Sequence, residues 1–160
     1  MAGPFLAPWP DASLLELCAG GREDADRATC ASSQLSVMQE TMTQYVIVTP
    51  IRDEERFIEA TIASVQGQTI RPAEWVIVDD GSTDRTGEII DRYAAQLPWI
   101  RVVHRANRGF RKSGGGVMEA FYDGYNALHC DGWDFIVKLD GDLTLPGNYF
   151  DKCFEHFESD

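Results

Sequence analysis

From Tyr45 onward, short apolar runs alternate with longer stretches in which apolar residues recur at helical spacing. Tyr45-Val-Ile-Val48 is an apolar, largely β-branched run ended by Thr49-Pro50, and it reads as a strand. Asp53-Glu-Glu55 then opens a helix with acids in its first turn, where the dipole favours them, and Ile58, Ile62 and Val65 keep helical spacing as far as Gly67. Trp75-Val-Ile-Val78 is a second strand, ended by Asp79-Asp80-Gly81, and Ser82-Thr-Asp84 supplies capping residues for a second helix. That helix should bury Ile90, Tyr93, Ala94 and Leu97, and Pro98 closes it. Ile100-Arg-Val-Val103 is a third strand. A loop through Asn107-Arg-Gly109 reaches Gly114-Gly-Gly116, where a third helix starts with Val117, Phe121, Tyr125 and Leu128 inward. A fourth apolar run from Phe135 leads into Asp140-Gly-Asp142, and after Pro146-Gly147 a last helix carries Phe150, Cys153, Phe154 and Phe157 on one face.

Strand followed by helix, repeated along the chain, predicts an α/β fold. The first, second and fourth apolar runs are continuous rather than alternating, so these strands are buried on both faces. The sheet is then mainly parallel, with a layer of helices on each side: a three-layer α/β/α, Rossmann-like arrangement. Residues 1–43 have a different texture. Prolines break Met1-Ala-Gly-Pro-Phe-Leu-Ala-Pro-Trp-Pro10, and Gly20-Gly-Arg-Glu-Asp-Ala-Asp-Arg27 is polar without a period. This segment is expected to be a poorly ordered extension before a domain spanning 44–160, with Met38 or Met42 a more natural first residue.

Composition narrows the function. Of the 160 residues, 44% are hydrophobic and 25% charged, as in ordinary globular domains. The formal net charge of −12 argues against nucleic acid as a partner and against purely electrostatic binding to an anionic membrane. The cysteines, Cys18, Cys30, Cys130 and Cys153, form no CxxC pair and are too sparse for a disulfide framework, which suits reduced thiols in the cytoplasm. No run approaches the ~20 apolar residues of a membrane span, and no basic region followed by an apolar run marks a signal peptide.

The chemistry collects after the strands. Glu54 follows the first, Asp79 and Asp80 end the second, and Asp140 and Asp142 end the fourth. In a parallel sheet these ends share one edge, the edge where ligands bind. Two carboxylates flanking Gly141 suit a hard divalent cation, Mg²⁺ or Mn²⁺, with a phosphate on its far side. Between Asp91 and Glu119 there is no acid, whereas the same interval holds Arg92, Arg101, Arg105, Arg108, Arg111 and Lys112. This basic island runs into the triple glycine that opens a helix, a combination that suits phosphate. Neither a dinucleotide fingerprint nor a P-loop is present.

Val46-Ile-Val-Thr-Pro-Ile-Arg-Asp-Glu-Glu55, Val76-Ile-Val-Asp-Asp-Gly-Ser-Thr-Asp84 and Leu139-Asp-Gly-Asp142, in that order, resemble the family 2 glycosyltransferases, which have the GT-A fold. The resemblance runs from about Tyr45 to the C-terminus. It implies that Thr49 and Pro50 line a nucleoside pocket, that Glu54 matches the family's acid after the first strand, and that Asp80 hydrogen-bonds the base with Asp79 beside it. Asp140 and Asp142 match the DxD motif, Asp140 facing ribose or sugar and Asp142 holding the metal that bridges the diphosphate. The implied partner is a UDP- or GDP-linked sugar, and the implied reaction is inverting transfer to a glycan, lipid or protein acceptor.

The chain also departs from the family. Arg52-Asp53 stands where Tyr-Asn is common, and Lys112 precedes Ser113-Gly-Gly-Gly116 where Gly-Lys-Gly is common. The phosphate contact therefore stays open among Arg108, Arg111 and Lys112. Family members continue well past DxD into the acceptor half that carries the catalytic base, so the base is expected beyond Asp160. The 160 residues are expected to be a donor-binding part, inactive alone and prone to self-association through an open sheet edge, with any membrane anchor in a longer form. Two other readings compete. One is a non-catalytic nucleotide-binding module. The other is a haloacid-dehalogenase-like phosphatase with Asp140 as nucleophile and Asp142 as acid, which leaves Val78-Asp-Asp-Gly-Ser-Thr83 unexplained and puts its first motif at the wrong end of the domain.

Overall fold

The structure is a computed structural model that describes residues 43–109 and 115–158. The expected extension over 1–43 lies, apart from Thr43, outside the described residues. So do Arg111 and Lys112.

Four strands, β1 (Tyr45–Ile51), β2 (Glu74–Asp79), β3 (Ile100–His104) and β4 (Phe135–Lys138), form one sheet in the order β3-β2-β1-β4. Each neighbouring pair is parallel. Helices α1 (Ile58–Gln66), α2 (Thr86–Ala94), α3 (Gly115–Asn126) and α4 (Tyr149–Glu158) alternate with the strands, as the apolar pattern predicts. β1 and β2 are central and almost wholly buried, as continuous apolar runs require.

The sheet has a core on each face. On one face Tyr45, Ile47, Ile51, Trp75, Ile77 and Ile100 meet Ile58, Ile62 and Val65 of α1, Ile89 and Ile90 of α2, and Phe150 and Phe154 of α4. The other, smaller core joins Val48, Val76 and Val78 to Ala120 of α3. α1, α2 and α4 thus form one outer layer and α3 the other. Polar groups in the large core find partners. The Trp75 indole donates to Thr49 Oγ1 at 2.8 Å, and the Tyr45 hydroxyl donates to the Ile70 carbonyl at 2.7 Å.

Three local expectations change. β1 does not stop at Val48 but runs through Pro50 to Ile51. The Val48 carbonyl faces β4 and accepts from Leu139 N at 3.1 Å. Pro50, two residues on, faces the same side beyond the last rung of β4, so its missing N–H costs no ladder bond. α1 opens at Ile58, not at Asp53. Asp53 takes a left-handed φ of 57°, and the 53–57 segment is a turn bound to a neighbouring loop. The inward face of α3 is Gly116, Ala120 and Gly124, with Phe121 and Leu128 packed at its side, while Val117 and Tyr125 are exposed. Small residues win because α3 lies directly on the sheet. A Cβ on Gly124 would come within 2.6 Å of Val48 Cγ1 and 2.7 Å of Val78 Cγ2.

Candidate functional site

Because all strands are parallel, the loops that follow them share one edge. The order β3-β2-β1-β4 places the loop after β1 between those after β2 and β4. The loops after β1 and β2 are tied to each other by a reciprocal set of bonds. Backbone N–H groups of Asp53, Glu54 and Glu55 donate to Ser82 Oγ (2.9 Å), Thr86 Oγ1 (2.8 Å) and Asp84 Oδ2 (3.1 Å). In return Asp53 Oδ1 accepts from Thr83 N at 2.7 Å, and Glu55 Oε2 accepts from Arg85 N at 3.1 Å. The Ser82-Thr-Asp84 stretch therefore does more than cap α2: it clasps the preceding loop. Asp84 is held below the usual carboxylate range, since hydrogen bonds from Thr86 and Glu55 outweigh the cost of its partial burial.

Within this frame the predicted residues take distinct places. Thr49 is fully buried, with its hydroxyl engaged by Trp75 beneath the edge. Pro50 is half-buried beside it in β1, level with Val78. Asp79 is buried; its Oδ1 accepts from Ser82 N at 2.8 Å and its Oδ2 lies 3.2 Å from His104 Nδ1. Asp80 is mostly enclosed. Its backbone N–H donates to the Ile51 carbonyl at 2.8 Å, and its carboxylate receives Arg105 Nη1 at 2.5 Å and Arg108 Nη2 at 3.1 Å. Glu54 reaches the β4 loop, its Cγ 3.7 Å from where a Cβ on Gly141 would stand.

The basic island divides. Arg92 pairs with Glu59 of α1, and Arg101 pairs with Glu74 at 2.9 Å, away from the strand-end edge. Of the island's described arginines, Arg105 and Arg108 join the site. α3 supplies them with further acids: Arg108 meets Glu119 at 2.5 Å, and Arg105 meets Asp123 at 2.7 Å. Asp80, Arg105, Arg108, Glu119 and Asp123 thus form one charged network between β2, the loop after β3 and α3. The Glu119 and Asp123 members went unread in the sequence, although their spacing of four puts them on one helix flank.

Asp140 and Asp142 are exposed on either side of the buried Gly141. The Lys138 ammonium sits on Asp140, a cation already drawn to this carboxylate. The Gly141 carbonyl is turned inward, accepting from Thr61 Oγ1 at 2.7 Å. Among the described residues no cluster of three or more His, Cys, Asp or Glu could enclose a metal. Two carboxylates with open coordination positions nevertheless fit Mg²⁺ or Mn²⁺, which are commonly held by one or two carboxylates with phosphate and water completing the shell. His104, missed in the sequence because one residue at a strand end carries no periodic signal, sits between Asp79 and Asp91 (Nε2 to Oδ1 2.9 Å). The bond to Asp91 raises its pKa above the ordinary value against a partly offsetting burial, with Asp79 adding to the rise.

The family model for glycosyl transferase family 2 matches residues 46–160. The chain is similar to the uncharacterized glycosyltransferase EpsJ of Bacillus subtilis, 38% identical over 112 residues that cover 70% of this chain and 30% of EpsJ. Among solved structures it is similar to S. aureus TarS 1-349 in complex with UDP, with a TM-score of 0.57 and 20% identity over 73% of this chain and 32% of that one. The mannosyltransferase PcManGT of Pyrobaculum calidifontis, in complex with GDP-Man and Mn²⁺, matches with a TM-score of 0.50 and 25% identity over 64% of this chain and 28% of that one. The chain belongs to glycosyl transferase family 2, and its α/β fold is that of part of the GT-A glycosyltransferases. It spans about a third or less of the curated relatives it matches. Among the described residues no helix is long and apolar enough to cross a membrane.

Proposed function

We propose that this chain is the donor-binding part of a cytoplasmic glycosyltransferase: it binds a UDP- or GDP-linked sugar through a divalent cation, for inverting transfer to an acceptor. The observation that carries the reading is the convergence on one sheet edge of Asp79 and Asp80, Glu54, and Asp140 and Asp142, with Arg105 and Arg108 among them. Pro50, Asp79 and Asp80 form the nucleoside side, with Thr49 as buried support beneath. Asp80 accepts an N–H from the base edge; uracil and guanine both offer one next to a carbonyl, which Arg105 or Arg108 can meet. Arg108, Arg111 and Lys112 are the candidates for the diphosphate. Asp140 and Asp142 hold the cation, and Asp140 also faces the ribose or sugar. The bound cation would neutralise charge on the departing diphosphate. The protein's own share is to orient the diphosphate away from the acceptor's line of attack and to hold the base in a rigid loop frame. The presence of GDP-Man and Mn²⁺ in PcManGT supports the donor and metal classes.

Calorimetric titration of UDP and of GDP, each with Mn²⁺ and with EDTA, tests this. The expected result is Mn²⁺-dependent binding of at least one nucleotide, weakened tenfold or more in Asp142→Ala. Failure of the folded wild-type chain to bind either would sink the donor-site reading.

A further inference from the structure

Two buried polar residues, Thr61 on α1 and Gln68 just past its end, look misplaced until their partners are identified. Thr61 lies on the stripe that also carries Ile58, Ile62 and Val65, Gln68 follows the C-cap Gly67, and both are buried, Thr61 at 1% exposure. Both reach across to the loop after β4, at its two ends. Thr61 Oγ1 donates to the Gly141 carbonyl at 2.7 Å in a buried contact, with the Phe57 carbonyl a longer alternative at 3.4 Å. Gln68 Nε2 donates to the Pro146 carbonyl at 2.7 Å and to Ser64 O at 3.0 Å. Gln68 Oε1 accepts from the first backbone N–H groups of α4, Tyr149 at 3.0 Å and Phe150 at 3.3 Å. Thr69 N adds a bond to the Gly147 carbonyl at 2.7 Å.

We infer that Thr61 and Gln68 are positioning residues for the metal-binding carboxylates: α1 and the turn that follows it brace the Asp140–Asp142 loop from beneath and fix the direction of its two acids. This rests on the donor-site reading above. The physical argument is that a peptide unit is planar, so anchoring the Gly141 carbonyl fixes the whole 141–142 peptide and limits where Asp142 can point. The anchor is tight because Gly141 is wedged: a Cβ there would stand 2.4 Å from Ile51 Cγ2. The Gly141 carbonyl is buried and turned inward to Thr61, whereas the flanking carboxylates are exposed, so the cation is left to them. Removing outer partners of metal-ligating groups commonly costs 10–100-fold in metal affinity.

The test is Mn²⁺ binding by the full chain, read from loss of the free-ion electron paramagnetic resonance signal with UDP, and separately GDP, present. Thr61→Val keeps the shape and removes the donor; affinity for Mn²⁺ is expected to fall about tenfold. Thr61→Ser, which keeps the hydroxyl, is expected to restore it. A purely structural role would lower the metal-free melting temperature of Thr61→Val yet leave Mn²⁺ affinity within twofold of wild type, and that result overturns the inference. Gln68→Glu keeps the acceptor for α4 and removes the donor to Pro146; should Thr61→Val not fold, the same twofold criterion applied to Gln68→Glu decides. Absence of Mn²⁺ binding in the wild type would instead bring down the donor-site reading, and this inference with it.

Discussion

His104 ends β3 with its ring between two carboxylates, Asp79 from the neighbouring strand and Asp91 from α2. Protonated, it donates to both; neutral, it must leave one carboxylate facing an unprotonated nitrogen. The folded chain therefore holds the proton more tightly than the unfolded chain, and the pKa lies above 6.5. The linkage follows from that sign. The stabilisation is fully present below pH 6.5 and is lost as pH rises through the higher folded value. The ring is half exposed, so solvent screening keeps the effect to about 1 kcal/mol or less. Urea unfolding across this range should show wild-type stability declining with rising pH, and His104→Gln should remove that part of the slope. An unchanged slope in the variant would assign the titration elsewhere. Asp79 also anchors Ser82, so the same proton helps to steady the loop that clasps 53–55.

At the scale of elements, α3 shows how packing overrides a simple hydrophobic count. Val117, Phe121, Tyr125 and Leu128 make a plausible inward stripe, yet the residues against the sheet are Gly116, Ala120 and Gly124. Gly124→Ala therefore has two opposed effects. Helix propensity gains about 1 kcal/mol, but the new methyl meets the stiff β-branched side chains of Val48 and Val78 at under 3 Å. Overpacking of this kind costs about 1–3 kcal/mol. Net destabilisation in urea unfolding is expected for Gly124→Ala, whereas Tyr122→Ala, on the exposed flank, should stay within about 0.5 kcal/mol of wild type. The strands and the outward side of the sheet were legible because continuous apolar runs have one reading in an α/β chain. The phase of α3 was not, because small residues announce close approach only once the neighbouring backbone is known. Asp53-Glu-Glu55 misled in the same way. Acids before an apolar stripe look like a helix start, but side chains from 82–86, some 30 residues away, take their N–H groups. The carboxylates of the candidate site were legible as strand ends. The pairing of Asp80 with Arg105 and Arg108 was not, since it is made across 25 and 28 residues and only the fold brings them together.

Taken whole, the described fold closes on itself at Gln44. The Gln44 N–H donates to Asp134 Oδ2 at 2.9 Å, and its carbonyl accepts from Asp134 N at 2.8 Å, so the entry to β1 is fastened to the entry to β4. One residue later Tyr45 is fully buried, its ring 4.9 Å from both Phe150 and Phe154 and its hydroxyl bonded to Ile70. The large core then runs from Tyr45 to Phe154, and every loop of the candidate site hangs from strands inside it. Stability and donor binding should therefore belong to the part that begins at Thr43. A chain of residues 43–160 is expected to melt within about 2 °C of the full chain, a shift that corresponds to roughly 0.5 kcal/mol for a domain of this size. It should bind the nucleotide chosen by the full chain with an affinity within twofold. Differential scanning calorimetry and the Mn²⁺-dependent titration measure the two halves of the prediction separately. A lower melting temperature with intact binding would show that residues 1–42 support the fold from outside the site. Intact melting with weakened binding would place part of the donor site in them, and would extend the site beyond the sheet edge that Asp80, Asp140 and Asp142 define.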